Sequence, residues 1–189
     1  MTRERQGRAG SAGREEGAVR VRLAELEQRV AELGNACVVM ERVHGALDHA
    51  EVLAAIQDVV INVIGSEELA VYELAEGGRS LHPVQSFGVE RRGLRALALG
   101  EGPIGRAAAE RRIWTVLDGG PPSEDRELTA VAPLCAGERV AGAVAIWRML
   151  EHKPIFAAAE RAVLELLSRH GGTALHLTAP RPDRCAEAA

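Results

Sequence analysis

Three groups of residues have types and spacings from which chemistry can be built. The first is GEGPIG, Gly100 to Gly105, which satisfies G-x-G-x-x-G, the spacing that cradles a dinucleotide pyrophosphate. The second is the set of histidines, His44, His49, His82, His152, His170 and His176. The third is the cysteines, Cys37, Cys135 and Cys185. No two histidines form H-x-x-x-H, and no two cysteines form C-x-x-C, so neither set has metal-ligand spacing and no metal is expected. His170 falls on an apolar helical face and reads as a half-buried, hydrogen-bonded side chain. No G-x-S-x-G frames a serine nucleophile. The sequence therefore offers no catalytic residue, and the chain is read as not an enzyme.

The glycines need a closer test. A dinucleotide fingerprint requires a buried parallel strand before it and a long crossover helix after it. The preceding ERRGLRALAL has no β-branched residue and carries three arginines. The helix that follows, Ile104 to about Arg111, has room for only about two turns before IWTVL begins at Ile113. No nucleotide cofactor, nor any other cofactor, is expected. Gly102 and Gly105 are assigned instead to backbone geometry: a turn into a helix, then helix–sheet contact.

Composition narrows the partners. The 189 residues are 47% hydrophobic but only 3% aromatic, so the core must be aliphatic and alanine-rich. Net charge is −4, and the single lysine is Lys153. ERRGLRALAL and ERRI concentrate five arginines, but Glu90, Glu101 and Glu110 interleave with them. That pattern makes a solvated salt-bridge set or a docking patch for an acidic partner, and it cancels the field that nucleic acid needs. No apolar run reaches the ~20 residues of a membrane span. The start, MTRERQGRAGSAGREEG, lacks the apolar segment of a secretory signal. A cytoplasmic protein with reduced thiols is the expectation.

Four segments follow from the patterning. Residues 1–17 and 179–189 read as disordered tails. Residues 18–47 read as a helix with a 4-3 alternation of apolar positions. Leu23, Val30, Cys37 and His44 take one seam position, and Leu26, Leu33, Met40 and Leu47 the other. Two packings satisfy such a seam: a coiled coil with a second copy, or a helix laid on its own domain. Its narrowness favours the coiled coil, with a bend or break at Gly34-Asn35. Cys37 then faces its twin across a parallel dimer.

Residues 48–178 read as one domain. After an N-cap at Asp48, AEVLAAIQDVVINVIG places Val52, Leu53, Ile56, Val59, Val60 and Val63 on one helical face. ELAVYELAE and RSLHPVQSF flank Gly77-Gly78 as a hairpin, and LTAVAPLC and RVAGAVAIWRM form a second. The last strand is apolar on both sides, with Val140, Val144 and Ile146 opposite Ala141, Ala143, Ala145 and Trp147, as in the middle of a sheet. Pro133 demands a bulge or an unpaired amide in its partner. A closing helix runs from Phe156 to about Leu177, weakened in its last third by Gly171-Gly172. The fold class is α+β: an antiparallel sheet of five to six strands with helices on one face, preceded by a long helix.

The order of these elements, with VYELAEGGRSLHPVQSFG, LALGEGPIGRAAAERRIWTV and AVAPLCAGERVAGAVAIW, resembles the GAF domain family over about Leu47 to Leu177. The resemblance implies a small bacterial regulatory protein acting by homodimerisation and by contact with a protein partner in trans, no output domain being fused. The alternative it implies is a small-molecule sensor, with Tyr72, Phe87, Trp114 and Val131 near the pocket wall. The family's cyclic-nucleotide signature is absent. GGPPSEDRE, residues 119–127, is short where many members carry a lid, which implies an open, shallow or absent cavity. A third reading is a thiol enzyme of the free methionine sulfoxide reductase type working through Cys135, although that family clusters several cysteines.

Overall fold

In a computed structural model, residues 2–90, 93–118, 128–150, 156 and 158–180 are described, with side chains described from Gly17 onward. Residues 119–127 and 181–189, the latter including Cys185, and His152 lie outside the described residues.

Helix α1 runs from Thr2 to Gly45, so Leu47 stands past its end. The chain divides into two compact units, residues 1–35 and 36–189, with the division directly after Gly34-Asn35. Within the second unit, Asp48 starts helix α2, His49–Val59. Its carboxylate accepts the Glu51 amide at 2.8 Å, while the Glu51 carboxylate accepts the Leu47 amide at 2.7 Å. This reciprocal pair satisfies donors that a helix start otherwise leaves open. The helix widens into a π-helical turn, Val60–Ile64, before the sheet begins.

The remaining elements are β1 (Ser66–Leu74), β2 (Ser80–Phe87), β3 (Leu97–Ala98), α3 (Gly102–Glu110), β4 (Trp114–Thr115), β5 (Ala130–Ala136), β6 (Arg139–Met149) and α4 (Ala158–Thr178). The six strands form one antiparallel sheet in the order β3-β2-β1-β6-β5-β4. The two hairpins meet through β1 and β6 at the centre, as the two-sided apolar pattern of β6 requires.

Alternation sends the strands' side chains to two cores. Leu69, Val71, Ala132, Leu134, Val144 and Ile146 pack under α2 and α4. Val39 and Val43 of α1, 0% and 1% exposed, belong to the same core. On the other face, Ala70, Tyr72, Val131, Ala143, Ala145 and Trp147 pack with Ile104, Ala107 and Ala108 of α3. The alanines of β6 make room for that short helix.

One detail differs from the sequence pattern. Leu134 pairs with Gly142 but Cys135 pairs with Val140, leaving Ala141 as an extra residue in β6. The bulge reverses the facing of what precedes it. Val140 therefore packs with the α3 side and Ala141 with the α4 side.

Candidate functional site

GEGPIG turns out to shape the entry to α3. The stretch before it forms only the two-residue edge strand β3, antiparallel to β2. Gly102 has φ +60°, a left-handed conformation that L side chains seldom adopt. A Cβ on Gly105 would lie 2.4 Å from the Ala98 carbonyl oxygen, so only glycine lets α3 sit this close to β3. β4, next in the chain, joins the opposite edge of the sheet. No βαβ crossover surrounds these glycines.

Of them, Gly102 helps frame a cavity of about 190 Å³ on the α3 face, beside Glu101, Pro103 and Ile104. Tyr72 from β1 and Trp147 from β6 contribute aromatic surface, and Leu94, Leu97, Ile104 and Leu128 contribute aliphatic walls. Arg95 and Glu101 complete its polar side, 3.2 Å apart as an ion pair. The second Glu101 oxygen accepts the Ala98 amide at 2.9 Å. Burial pushes the Tyr72 hydroxyl above its ordinary range, against the opposing pull of the Arg95 charge, so it stays protonated.

The four residues assigned to a pocket wall fall in different places. Tyr72 lines this cavity. Val131 is fully buried in the same core, opposite Trp114 across the β4–β5 ladder, without lining the cavity. Trp114 instead lines a second depression of about 190 Å³ with Pro103, Ala107, Ile113 and Asp118. Phe87, at the end of β2, is 43% exposed. Sequence reasoning missed Arg95, Glu101 and the wall role of Trp147. Trp147 alternates with Ala143 and Ala145 on the same face as Tyr72, a signal that places it there. Nothing in the pattern of ERRGLRALAL singles out Arg95.

The seam residues are displayed differently in the two units. Leu23, Leu26, Val30 and Leu33 are between 53% and 69% exposed. Cys37 is exposed, and Met40 is partly so. His44 Nε2 instead lies 3.2 Å from His170 Nδ1 of α4, with the rings edge to face.

Three other clusters are structural in geometry. Asp118 accepts the Thr115 amide and hydroxyl at 2.9 and 2.8 Å and pairs with Arg161. Those bonds, the Thr115 hydroxyl first, hold its carboxyl below the usual range. His49 Nε2 meets Glu73 Oε1 at 2.6 Å, and burial raises the Glu73 carboxyl despite that partner. Burial likewise raises the Cys135 thiol, outweighing Arg111, so the group is held as a thiol and not a nucleophilic thiolate. Among the described residues no group of three or more His, Cys, Asp or Glu side chains converges on a metal position. No described helix is long and apolar enough to cross a membrane.

A family model described as GAF domain matches residues 48–177. Among solved structures, the chain is similar to the GAF domain of a phosphoenolpyruvate-protein phosphotransferase from Coxiella burnetii, with TM-score 0.65 and 15% identity over 85% of this chain and 98% of that one. A GAF domain from an Acinetobacter phosphoenolpyruvate-protein phosphotransferase gives TM-score 0.62 and 16% identity, covering 77% and 93%. A GAF domain/HD domain protein from Geobacter sulfurreducens gives 0.56 and 22%, covering 69% and 93%. No curated protein matches the chain significantly in sequence.

Proposed function

Because the chain belongs to the GAF domain family, whose fold serves signalling, regulation or ligand sensing, we propose that it is a non-catalytic regulatory module working as a homodimer. The carrying observation is the exposed seam of α1. Leu23, Leu26, Val30 and Leu33 repeat at heptad spacing and stand more than half exposed. Single exposed leucines need no explanation, but a row at 4-3 spacing has a ready partner in a second copy of itself. The held thiol of Cys135 argues against a thiol enzyme. A protein partner then reads the paired modules in trans.

Light scattering tests the pairing directly. The full chain should have twice the monomer mass at micromolar concentration, and Leu26→Asp with Leu33→Asp should give a folded monomer. Unfolding of the double variant would place that seam inside the chain's own core and defeat the reading.

A second reading is favoured by the cavity beside Tyr72 and Trp147: the module senses a small molecule there, between the sheet and α3.

A further inference from the structure

Among the described residues, the side-chain polar groups around this cavity that lack a partner are donors. Tyr72 is 2% exposed, and its hydroxyl makes no hydrogen bond among the described residues. Trp147 is 8% exposed, and its indole N–H is likewise unbonded among the described residues. Neither atom is among the fully sealed, unpartnered polar atoms of the described residues, so each remains reachable and can donate to a guest in the cavity. Arg95 adds a guanidinium with more donors than its Glu101 contact uses. The first turn of α3, Gly102–Ile104, lines the same space and brings the positive end of a helix. Among the described lining residues the one carboxylate is Glu101, whose two oxygens are taken by Arg95 and the Ala98 amide. The remaining surface is aliphatic or aromatic.

We propose that the cavity takes a small monocarboxylic acid with a compact apolar body. Its carboxylate accepts from the Tyr72 hydroxyl and the Trp147 indole, with Arg95 as counter-charge. Its body packs on Leu94, Leu97, Ile104 and Leu128. The inference rests on the sensing reading above. At about 190 Å³ the space is smaller than the ~300–1,000 Å³ of drug-sized sites, so it suits a single ring or branched chain and not a nucleotide. Since burial keeps Tyr72 protonated, its hydroxyl remains a donor at neutral pH. A primary amide of the same shape turns an NH2 toward a site that has donors already, and should be rejected.

Calorimetric titration of the full chain with phenylacetate and benzoate, beside phenylacetamide and benzamide, tests this. The acids should bind at least tenfold more tightly than their amides. Tyr72→Phe, which keeps the ring and its packing, should weaken the acids about tenfold, as loss of one hydrogen bond to a charged group does. Exposed Arg95→Gln should weaken them too and flatten their salt dependence, without unfolding the chain. Amides binding as well as acids, or acids indifferent to both variants, would overturn the carboxylate and leave small-molecule sensing standing. If none of the four compounds bound up to about 10 mM, a generous ceiling for ligands this small, the monocarboxylate would fall, while small-molecule sensing would still rest on the cavity.

Discussion

Gly171 and Gly172 sit side by side in α4 yet face different demands. A Cβ on Gly172 would lie 2.0 Å from the Cys135 amide nitrogen and 2.5 Å from the Leu134 carbonyl carbon. These are backbone atoms of β5 beside its register shift, and they have no rotamer to yield. The nearest atoms a Cβ on Gly171 would meet belong to the Ile56 and Leu167 side chains, at 3.4 Å. From sequence the pair reads as a weak point in the helix. In the structure α4 continues to Thr178, and Gly172 is what lets it lie on the strand; the Ser168 hydroxyl, one turn earlier, donates to the Pro133 carbonyl. Gly172→Ala should therefore lower stability by about 3 kcal/mol or more, at the upper end of overpacking effects. Gly171→Ala should stay within about 1 kcal/mol of wild type, its better helix propensity offsetting a tight contact. Urea titration of the two variants separates these outcomes, and equal destabilisation would deny the close approach.

At the scale of elements, the two hairpins and the helices were legible because their signals are local. Gly77-Gly78 and Gly137 sit between alternating strands, and Asp48 begins α2 as its residue type suggests. β3 was not legible: Leu97 and Ala98 become strand only because β2 offers Ser80 and Leu81 to pair with. Nor was the reversal of Val140, since an extra residue at Ala141 leaves no mark in composition. The site divides the same way. Tyr72, given a wall position by the family resemblance, lines the cavity from central strand β1, whereas Arg95 depends on the path of a loop. A contact between distant helices, His44 with His170, was equally beyond the sequence, and it makes stability depend on pH. Burial first, then the His44 ring and the Arg169 charge, hold His170 below the ordinary value of 6.5. Above that value the imidazole is neutral folded or unfolded, and nothing is lost. As pH falls below it the unfolded chain takes up a proton that the folded chain resists, so stability declines until the depressed folded value is passed. Near this end of α1, Arg42 pairs with Asp58 and the Glu51 carboxylate accepts the Leu47 amide. Melting temperature should thus fall between pH 7.5 and 5.5, and His170→Gln, which hydrogen-bonds without titrating, should make the decline shallower. An unchanged slope in the variant would assign the pH response elsewhere.

For the whole molecule, the family match and the folded unit do not begin at the same residue. The match starts at residue 48, whereas the compact unit starts at Ala36. The difference has a physical content, because Val39 and Val43 are fully buried in the core shared by α2 and α4. A fragment of residues 36–189 keeps both valines, the Arg42–Asp58 pair and the His44–His170 contact. A fragment of residues 48–189 loses all of them. Two buried valines contribute about 1.5–3 kcal/mol each, a large share of the ~5–15 kcal/mol that holds a domain of this size together. The longer fragment should unfold cooperatively at nearly the urea midpoint of the full chain. The shorter one should unfold at a clearly lower midpoint or fail to fold. The same two proteins divide α1 by role. If residues 36–189 are folded and monomeric in light scattering while the full chain is a dimer, pairing depends on Leu23 to Leu33. The last turns of the helix then serve the core of their own subunit. If residues 36–189 still dimerise, the surface that joins two copies lies on the sheet-bearing unit, and the exposed seam has another occupant.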